Sequence, residues 1–268
     1  MNRLLISLTL LIFFTSCGYF NFLSSDSSKN IPSLSDYQIY EDKDYIDQLV
    51  SLAEAYKKSP SIKIIKLGDK SRKFLQDIYK KIMENNEFLL LAKFPDIPNF
   101  YIINNDTPFY FSLPRSNFFF SSGLIKKHLK SEELFVAVLV HEIIKSRRNL
   151  YLKKIIVPVG YMSTSRMLAL TRVPLEIREQ INKWSFHVMR RAGYDPSAYL
   201  IWLQIQNKNT IEFTLQLSGG RNISQEEYLF KSYIIQEKVG GIEGLQKTVI
   251  NPSKYFYSLI KDVKKVRH

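Results

Sequence analysis

The chain has a single cysteine, Cys17, among its 268 residues. An intramolecular disulfide is therefore impossible, and an exported form of the protein would have to fold on its hydrophobic core alone. The sequence also shows no internal repeat. Hydrophobic residues make up 45% of the chain and aromatic residues 13%, which is typical of a globular protein and excludes an intrinsically disordered one.

Acidic residues are in short supply. The chain contains 25 Asp and Glu against 38 Lys and Arg, which gives a formal net charge of +13. One interpretation is attraction to anionic lipid head groups or to acidic partners. The other is compositional bias, because Lys, Ile, Asn, Phe and Tyr are all abundant, as an AT-rich genome would produce. Net charge alone does not decide between the two interpretations.

A long apolar run is also missing. The basic start MNR is followed by the apolar residues 4–14, which as a helix would extend about 16 Å, against roughly 30 Å for a bilayer core. This pattern predicts a cleaved signal peptide rather than a membrane anchor. Thr15 and Ser16 before Cys17 resemble the lipobox of bacterial lipoproteins, which implies cleavage before Cys17 and lipidation of its thiol. The alternative is an ordinary signal peptide with an incidental cysteine.

These observations predict four parts of the chain. Residues 1–16 form a lipoprotein signal peptide, and residues 17–41, rich in Ser, Asp and Asn, form a flexible tether. Residues 42–207 form the main folded domain, and residues 208–268 form a helical C-terminal extension.

The stretch from Ser131 to Leu150, SEELFVAVLVHEIIKSRRNL, predicts a long amphipathic helix. Ser131 is a suitable N-cap, and the two glutamates after it favour the first turn of a helix. Its core-facing positions recur at helical spacing: Leu134, Val136, Ala137, Val140, Ile143 and Ile144. The middle of this helix reads HEIIK, with His141, Glu142 and Lys145. A zinc-protease helix reads H-E-x-x-H, so the second histidine is missing and Lys145 stands in its place.

Elsewhere the chain predicts helices at residues 42–58, 70–85, 175–191, 198–206, 224–239 and 255–266. Strands are predicted at residues 88–92, 99–103 and 117–121, whereas residues 210–217 fit either a strand or a helix. The expected fold class is therefore α+β, mainly helical with a small sheet.

Residues 45–205 resemble the HtpX and CAAX-prenyl-protease-like zinc metallopeptidases of the gluzincin group, which include periplasmic BepA-like proteases. The resemblance lies in the element order, in the HE pair, in the segment containing Phe111, Leu113, Pro114, Gly123 and Leu124, and in the ending A-G-Y-D-P at residues 192–196. It implies a zincin-like metallopeptidase fold over residues 42–207, with the sheet beside the HE-containing helix.

The resemblance also implies positions for the site. The third zinc ligand of the family would fall at Gln180 and its supporting aspartate at Asn182. The strand segment beside the family's active-site cleft would carry Phe111, Pro114, Asn117 and Phe119. Arg115 and Ser116 replace the paired glycines of the family in that segment.

The substitutions remove the metal chemistry. Lys145 offers an ammonium group with no lone pair, and Gln180 offers only a neutral amide oxygen, so His141 alone stays a competent ligand. We therefore expect no metal, no cofactor and no catalysis, with a vestigial site at His141, Glu142, Lys145, Gln180 and Asn182. Lys145 would either pair with Glu142, Glu176 or Glu179, or be solvated in an open cleft.

The expected function is that of a catalytically inactive, metallopeptidase-like lipoprotein that acts as a scaffold, adaptor or chaperone-like factor at the cell envelope. Its partners would be the membrane, through lipidated Cys17, and an envelope or outer-membrane protein. Nucleic acid is not an expected partner of a lipid-anchored exported protein. Two alternatives are an active zinc endopeptidase with a non-standard metal site and a lipid-anchored peptide-binding module that uses the old cleft.

Overall fold

The computed structural model describes residues 42–90, 97–151, 160–217, 222–239 and 253–265. The predicted signal peptide, the lipidation site Cys17 and the predicted tether lie outside these ranges. The helices are α1 (Asp42–Lys57), α2 (Asp69–Glu84), α3 (Glu87–Leu90), α4 (Ser122–Lys127), α5 (Glu132–Arg147), α6 (Thr164–Thr171), α7 (Leu175–Arg191), α8 (Ser197–Lys208), α9 (Thr214–Leu217), α10 (Ile223–Val239) and α11 (Lys254–Lys265). The strands are β1 (Asn99–Ile103), β2 (Tyr110–Leu113) and β3 (Asn117–Ser121).

The expected α+β class is confirmed, because the chain is mostly helical with one three-stranded sheet. β1 and β3 begin and end where the sequence predicted. The strand predicted at residues 88–92 is wrong: Phe88 lies in the short helix α3, and residues 91 and 92 lie outside the described ranges. The Leu90 amide donates to the carbonyl of Asn86 at 2.9 Å, so local helical hydrogen bonding prevails over strand propensity there. Within the part of the chain that the structure describes, none of the helices is both long and apolar enough to cross a bilayer.

The sheet has the order β1-β3-β2, with β3 in the centre. β3 runs parallel to β1 and antiparallel to β2. Since side chains alternate along a strand, the aromatic residues of β3 go to opposite faces. Phe118 and Phe120 join the core that contains α2 and α5, whereas Phe119 packs edge-on against Tyr56 of α1.

Helix α5 lies at the centre of the larger core. The Ser131 hydroxyl accepts a hydrogen bond from the Leu134 amide at 3.2 Å, so the predicted N-cap is confirmed. The helix contacts β2 as well as α7 and α8. It is therefore buried on nearly all sides from Phe135 to Ser146, and the predicted amphipathic helix is wrong in one respect: its second face is also covered. Burial on nearly all sides is what residues 135–140 require, because every one of them is apolar.

The described residues of the C-terminal part share this core. Phe230 of α10 and both Phe256 and Leu259 of α11 belong to the same buried cluster as α5. Phe256 packs against Phe74 of α2, with ring centroids 5.8 Å apart. Residues 210–217 were predicted as either a strand or a helix. Residues 210–213 form turns and Thr214–Leu217 form the short helix α9, so the helical alternative is correct for the second half of this segment.

The turn between β2 and β3 is strained. Arg115 and Ser116 have φ angles of 59° and 54°, in the left-handed region that favours glycine. The paired glycines of the resembling family would satisfy this geometry, whereas two residues with a Cβ cost on the order of 1 kcal/mol or more each. The turn is held by surrounding contacts: Asn117 Nδ2 donates to the carbonyl of Pro114 at 2.8 Å, and the Ser116 and Tyr79 hydroxyls are 2.7 Å apart.

We expect Arg115→Gly to be more stable than Arg115→Ala by about 0.5–1 kcal/mol, because only glycine relieves the positive φ. Both variants lose the exposed ion pair with Asp47, so that pair cancels from the comparison. Urea unfolding of the two variants measures the difference. Equal stability would show that the turn stores no strain at this position.

Candidate functional site

Helix α5 places three polar side chains in the protein interior. His141 is 4% exposed, Glu142 1% and Lys145 5%. The backbone at this point is fixed to the sheet, because the Ser112 hydroxyl of β2 donates to the carbonyl of Glu142 at 3.1 Å. One turn further on, the Ser146 hydroxyl donates to the carbonyl of Leu113 at 2.7 Å. The helix and the sheet therefore hold the HEIIK segment in one orientation.

Lys145 and Glu142 form a buried ion pair, with Nζ 2.6 Å from Oε2. The two residues are three apart in the helix and so lie on one face. Burial raises the pKa of the Glu142 carboxyl, but the ammonium of Lys145 and the contacts with His141 outweigh it and bring the pKa down to about 2. The open question of whether Lys145 is paired or solvated is thereby answered: it is buried and paired with Glu142.

His141 is enclosed between this ion pair and helix α8. Its ring stacks on Tyr199 with centroids 5.4 Å apart and planes within 8° of parallel. Its Nδ1 lies 3.4 Å from Oε1 of Glu142. A carboxylate can only accept, so the proton belongs on Nδ1 and the lone pair on Nε2. Burial lowers the pKa of His141 and keeps the ring neutral, against the opposing effect of Glu142.

A second buried ion pair joins α7 to α10. Arg178 Nε donates to Glu226 Oε2 at 2.8 Å, and both residues are buried. Arg178 Nη1 also donates to the carbonyl of Val173 at 2.7 Å. Asn182, one turn along the same face of α7, donates to Glu226 Oε1 at 3.3 Å. Around α5 and α7 the described residues thus include two buried cation–carboxylate pairs and the neutral His141.

The Glu142–Lys145 pair and Arg178 border a small cavity of about 40 Å³. It is lined by Tyr110, His141, Glu142, Lys145, Leu168, Thr171, Arg172, Val173, Arg178 and Gln216. Gln216 also accepts a hydrogen bond from the Tyr110 amide at the edge of β2, at 3.1 Å. The charged lining therefore consists of one carboxylate and three cations.

The structure brings together four of the five residues of the predicted vestigial site and separates the fifth. His141, Glu142 and Lys145 line the cavity, and Asn182 is joined to it through Glu226. Gln180, in contrast, is exposed and does not line it. Residues two apart in a helix project about 200° from each other, so Gln180 and Asn182 cannot both face the interior. The ligand position read at Gln180 is corrected by this geometry, and Arg178 lies at the cavity instead.

The predicted cleft strand residues lie in the interior. Phe111, Pro114, Asn117 and Phe119 are all buried, and none of them lines the cavity. Phe111 and Phe119 stack on each other at 4.7 Å between centroids, within the smaller core against α1. Strand alternation explains this placement, because the cavity lies on the opposite face, at Tyr110. Nothing in these positions favours the peptide-binding alternative.

The cavity does not fit the zinc ion that the resemblance implies. A catalytic zinc requires three ligands drawn from imidazole, carboxylate and thiolate groups. Among the described residues, no three His, Cys, Asp or Glu side chains come close enough to hold a metal. His141 Nε2 has no hydrogen-bond partner among the described atoms and would be a suitable ligand by itself. Its neighbours at the cavity are the cations of Lys145 and Arg178, which repel a dication.

Sequence reasoning missed Arg178 and Glu226. A signal for both is present, because each occurs at the core spacing of its helix. Arg178, Asn182 and Ser185 recur at four- and three-residue intervals on the buried face of α7. Glu226 falls between Ile223 and Phe230 on the buried face of α10. A charged residue at a core position predicts a buried partner of opposite charge, although the sequence does not say which one.

The chain matches no protein-family model, and no curated protein is significantly similar to it.

Proposed function

We propose that the protein is a catalytically inactive, metallopeptidase-like lipoprotein of the bacterial cell envelope, with a zincin-like fold and a scaffold, adaptor or chaperone-like role. The observation that carries the proposal is the Glu142–Lys145 ion pair, in which the carboxylate expected to act as general base is bound by an ammonium 2.6 Å away. A carboxylate with a pKa of about 2 is a poor proton acceptor at neutral pH.

The second support is the set of charges around His141. In the H-E-x-x-H arrangement the second histidine and a third ligand complete the metal site. Here Lys145 stands at the second position, and Arg178 borders the same cavity. Each of these two cations is compensated by its own carboxylate, Glu142 or Glu226.

The third support is that one ion pair and one ring contact connect different helices. Arg178 and Glu226 join α7 to α10, and His141 stacks on Tyr199 of α8. In this proposal the vestigial site has a structural role, because its polar contacts hold the helices together. The function then lies in surfaces that bind other envelope components. Anchoring through lipidated Cys17 and an outer-membrane or envelope protein partner are parts of the same proposal.

Zinc analysis tests the absence of metal chemistry. We expect the purified protein, after incubation with equimolar zinc and desalting, to retain less than about 0.1 zinc per chain, because no three ligands converge. Its melting temperature should be the same with zinc and with a chelator. A known zinc peptidase treated in parallel is the positive control.

One zinc per chain that disappears in His141→Ala would overturn the proposal in favour of an active peptidase with a non-standard site. Proteolysis abolished by a chelator would do the same. Co-purification from envelope membranes then tests the scaffold role: we expect His141→Ala to retain the partners of the wild type. If the wild-type protein co-purified with no specific partner, that result would contradict the scaffold role.

A further inference from the structure

The outward face of α11 carries an unusual stripe. Lys254, Tyr257, Lys261, Lys264 and Lys265 recur at three- or four-residue intervals and are all exposed. The opposite face, with Phe256, Leu259 and Val263, is buried in the core. The stripe is therefore a fixed surface of the folded chain.

The one acidic residue of α11, Asp262, directs one carboxylate oxygen to α2 and neutralises only Lys265 of this stripe. Asp262 Oδ2 accepts hydrogen bonds from the Gly68 amide at 2.9 Å and the Ser71 hydroxyl at 2.6 Å. Lys265 Nζ is 3.9 Å from the other oxygen. The carboxylate thus joins α11 to the start of α2.

Exposed lysines surround this junction, from α11, from α2 and from the segment just before α2. Lys66, Lys70 and Lys73 are exposed and lie within two residues of Gly68 or Ser71, while Lys261, Lys264 and Lys265 lie within three residues of Asp262. The nearby Asp69 is paired with Arg72. These six lysines, here called the basic surface, concentrate positive charge at one place on the chain.

We propose that the basic surface docks the folded domain on an anionic phospholipid bilayer. Positive charge alone would fit any polyanion, but α11 also exposes Tyr255 and Tyr257, which are 40% and 60% accessible. Tyrosine beside lysine is typical of surfaces that lie at the lipid head groups, where an aromatic ring has an apolar body and a polar tip. Each lysine close to an anionic bilayer contributes a factor of about five in affinity.

The inference does not depend on the proposed loss of catalysis. It gives the domain a defined orientation on the membrane, with α2 and α11 toward the lipid. Helix α1 packs on the other face of the sheet from α2 and α11, so the exposed lysines at its two ends, Lys43 and Lys58, are suitable control positions.

The test uses the full chain with Cys17→Ser, so that no acyl chain contributes, and sedimentation with vesicles of phosphatidylcholine containing 30 mol% phosphatidylglycerol. The apolar residues 4–14 give the same background in every variant. We expect binding to these vesicles at low salt, little to pure phosphatidylcholine vesicles, and loss of binding at high salt. Replacing Lys261, Lys264 and Lys265 with Glu should weaken binding at least about 30-fold.

The control replaces Lys43 and Lys58, at the two ends of α1, and Lys208, the last residue of α8, with Glu. All three are exposed and lie outside the basic surface, so this variant changes the net charge equally and should weaken binding by less than about threefold. The corresponding Gln variants of the first set guard against misfolding and should weaken binding by an intermediate amount. Equal losses in the two triple Glu variants would overturn the proposal, since net charge and not the basic surface would then be responsible. Binding to DNA or polyglutamate with no preference for anionic vesicles would overturn it as well.

Discussion

Lys145→Met is expected to lower the free energy of unfolding by about 3–5 kcal/mol at pH 7–8, because it leaves the carboxylate of Glu142 buried without a cation. The double variant Glu142→Gln/Lys145→Met should recover most of this loss, since a buried pair of neutral side chains carries no uncompensated charge. Lys183→Met is the matched control. Its ion pair with Glu179 is partly exposed, so its loss should cost no more than about 1 kcal/mol.

The pH dependence of this variant has a definite sign. In the wild type the folded pKa of Glu142, about 2, lies below its unfolded value, so the carboxylate stabilises the fold at neutral pH and that contribution is lost as pH falls toward 2. In Lys145→Met, burial without the ammonium raises the pKa instead. The difference between wild type and variant should therefore be larger at pH 8 than at pH 5.

Urea unfolding at the two pH values measures this difference. A loss below about 1 kcal/mol with no pH dependence would mean that Lys145 contributes as a solvated surface lysine does. It would also remove the main support for the proposed replacement of a metal by an ion pair.

The second large effect is expected at Gly123→Ala, with a loss of about 3–5 kcal/mol. A Cβ at this position would lie 2.1 Å from the carbonyl oxygen of Asp106, so the backbone itself would have to move. The segment has little freedom to do so, because the Gly123 amide donates to the carbonyl of Asn105 at 2.8 Å and Ser122 Oγ donates to the same carbonyl at 3.1 Å.

Gly193→Ala is the matched control, because it also replaces a glycine with alanine but creates no close contact. Gly193 has a φ of 73° with nothing within 4 Å of a new Cβ, so only the strain of the left-handed conformation, about 1 kcal/mol, is expected. Thermal unfolding of the two variants compares the costs. A smaller loss for Gly123→Ala than for Gly193→Ala would show that the contact with Asp106 is not as close as the structure places it.

Much of the fold could be predicted because it depends on local patterns. The N-cap at Ser131, the bounds of β1 and β3, and the helix end at Gly193 follow from side-chain chemistry and spacing within a few residues. The short helix α3 could not be predicted in this way. Its segment is as apolar as a strand, and Arg148, distant in sequence, binds the carbonyl of Leu89 at 3.0 Å.

The candidate site was only half predictable for the same reason. His141, Glu142 and Lys145 share one helix, so their spacing alone predicts a common face. The ligand position at Gln180 came from the family resemblance of a second helix. Gln180 lies two residues after Arg178, about 200° around the helix, and so it is exposed whereas Arg178 is buried. Glu226 and Arg178 are 48 residues apart in the sequence, so no local pattern could predict that they pair.

The sequence by itself determined that His141, Glu142 and Lys145 lie close together on α5 and that Lys145 occupies the position of the second histidine. Helical spacing fixes which side chains lie together within one element. Only the tertiary structure decided that Arg178 and not Gln180 reaches the cavity, and that Lys145 is buried against Glu142. The reason is that burial and pairing of charges depend on which helices pack around a site, and that packing is a property of the whole core.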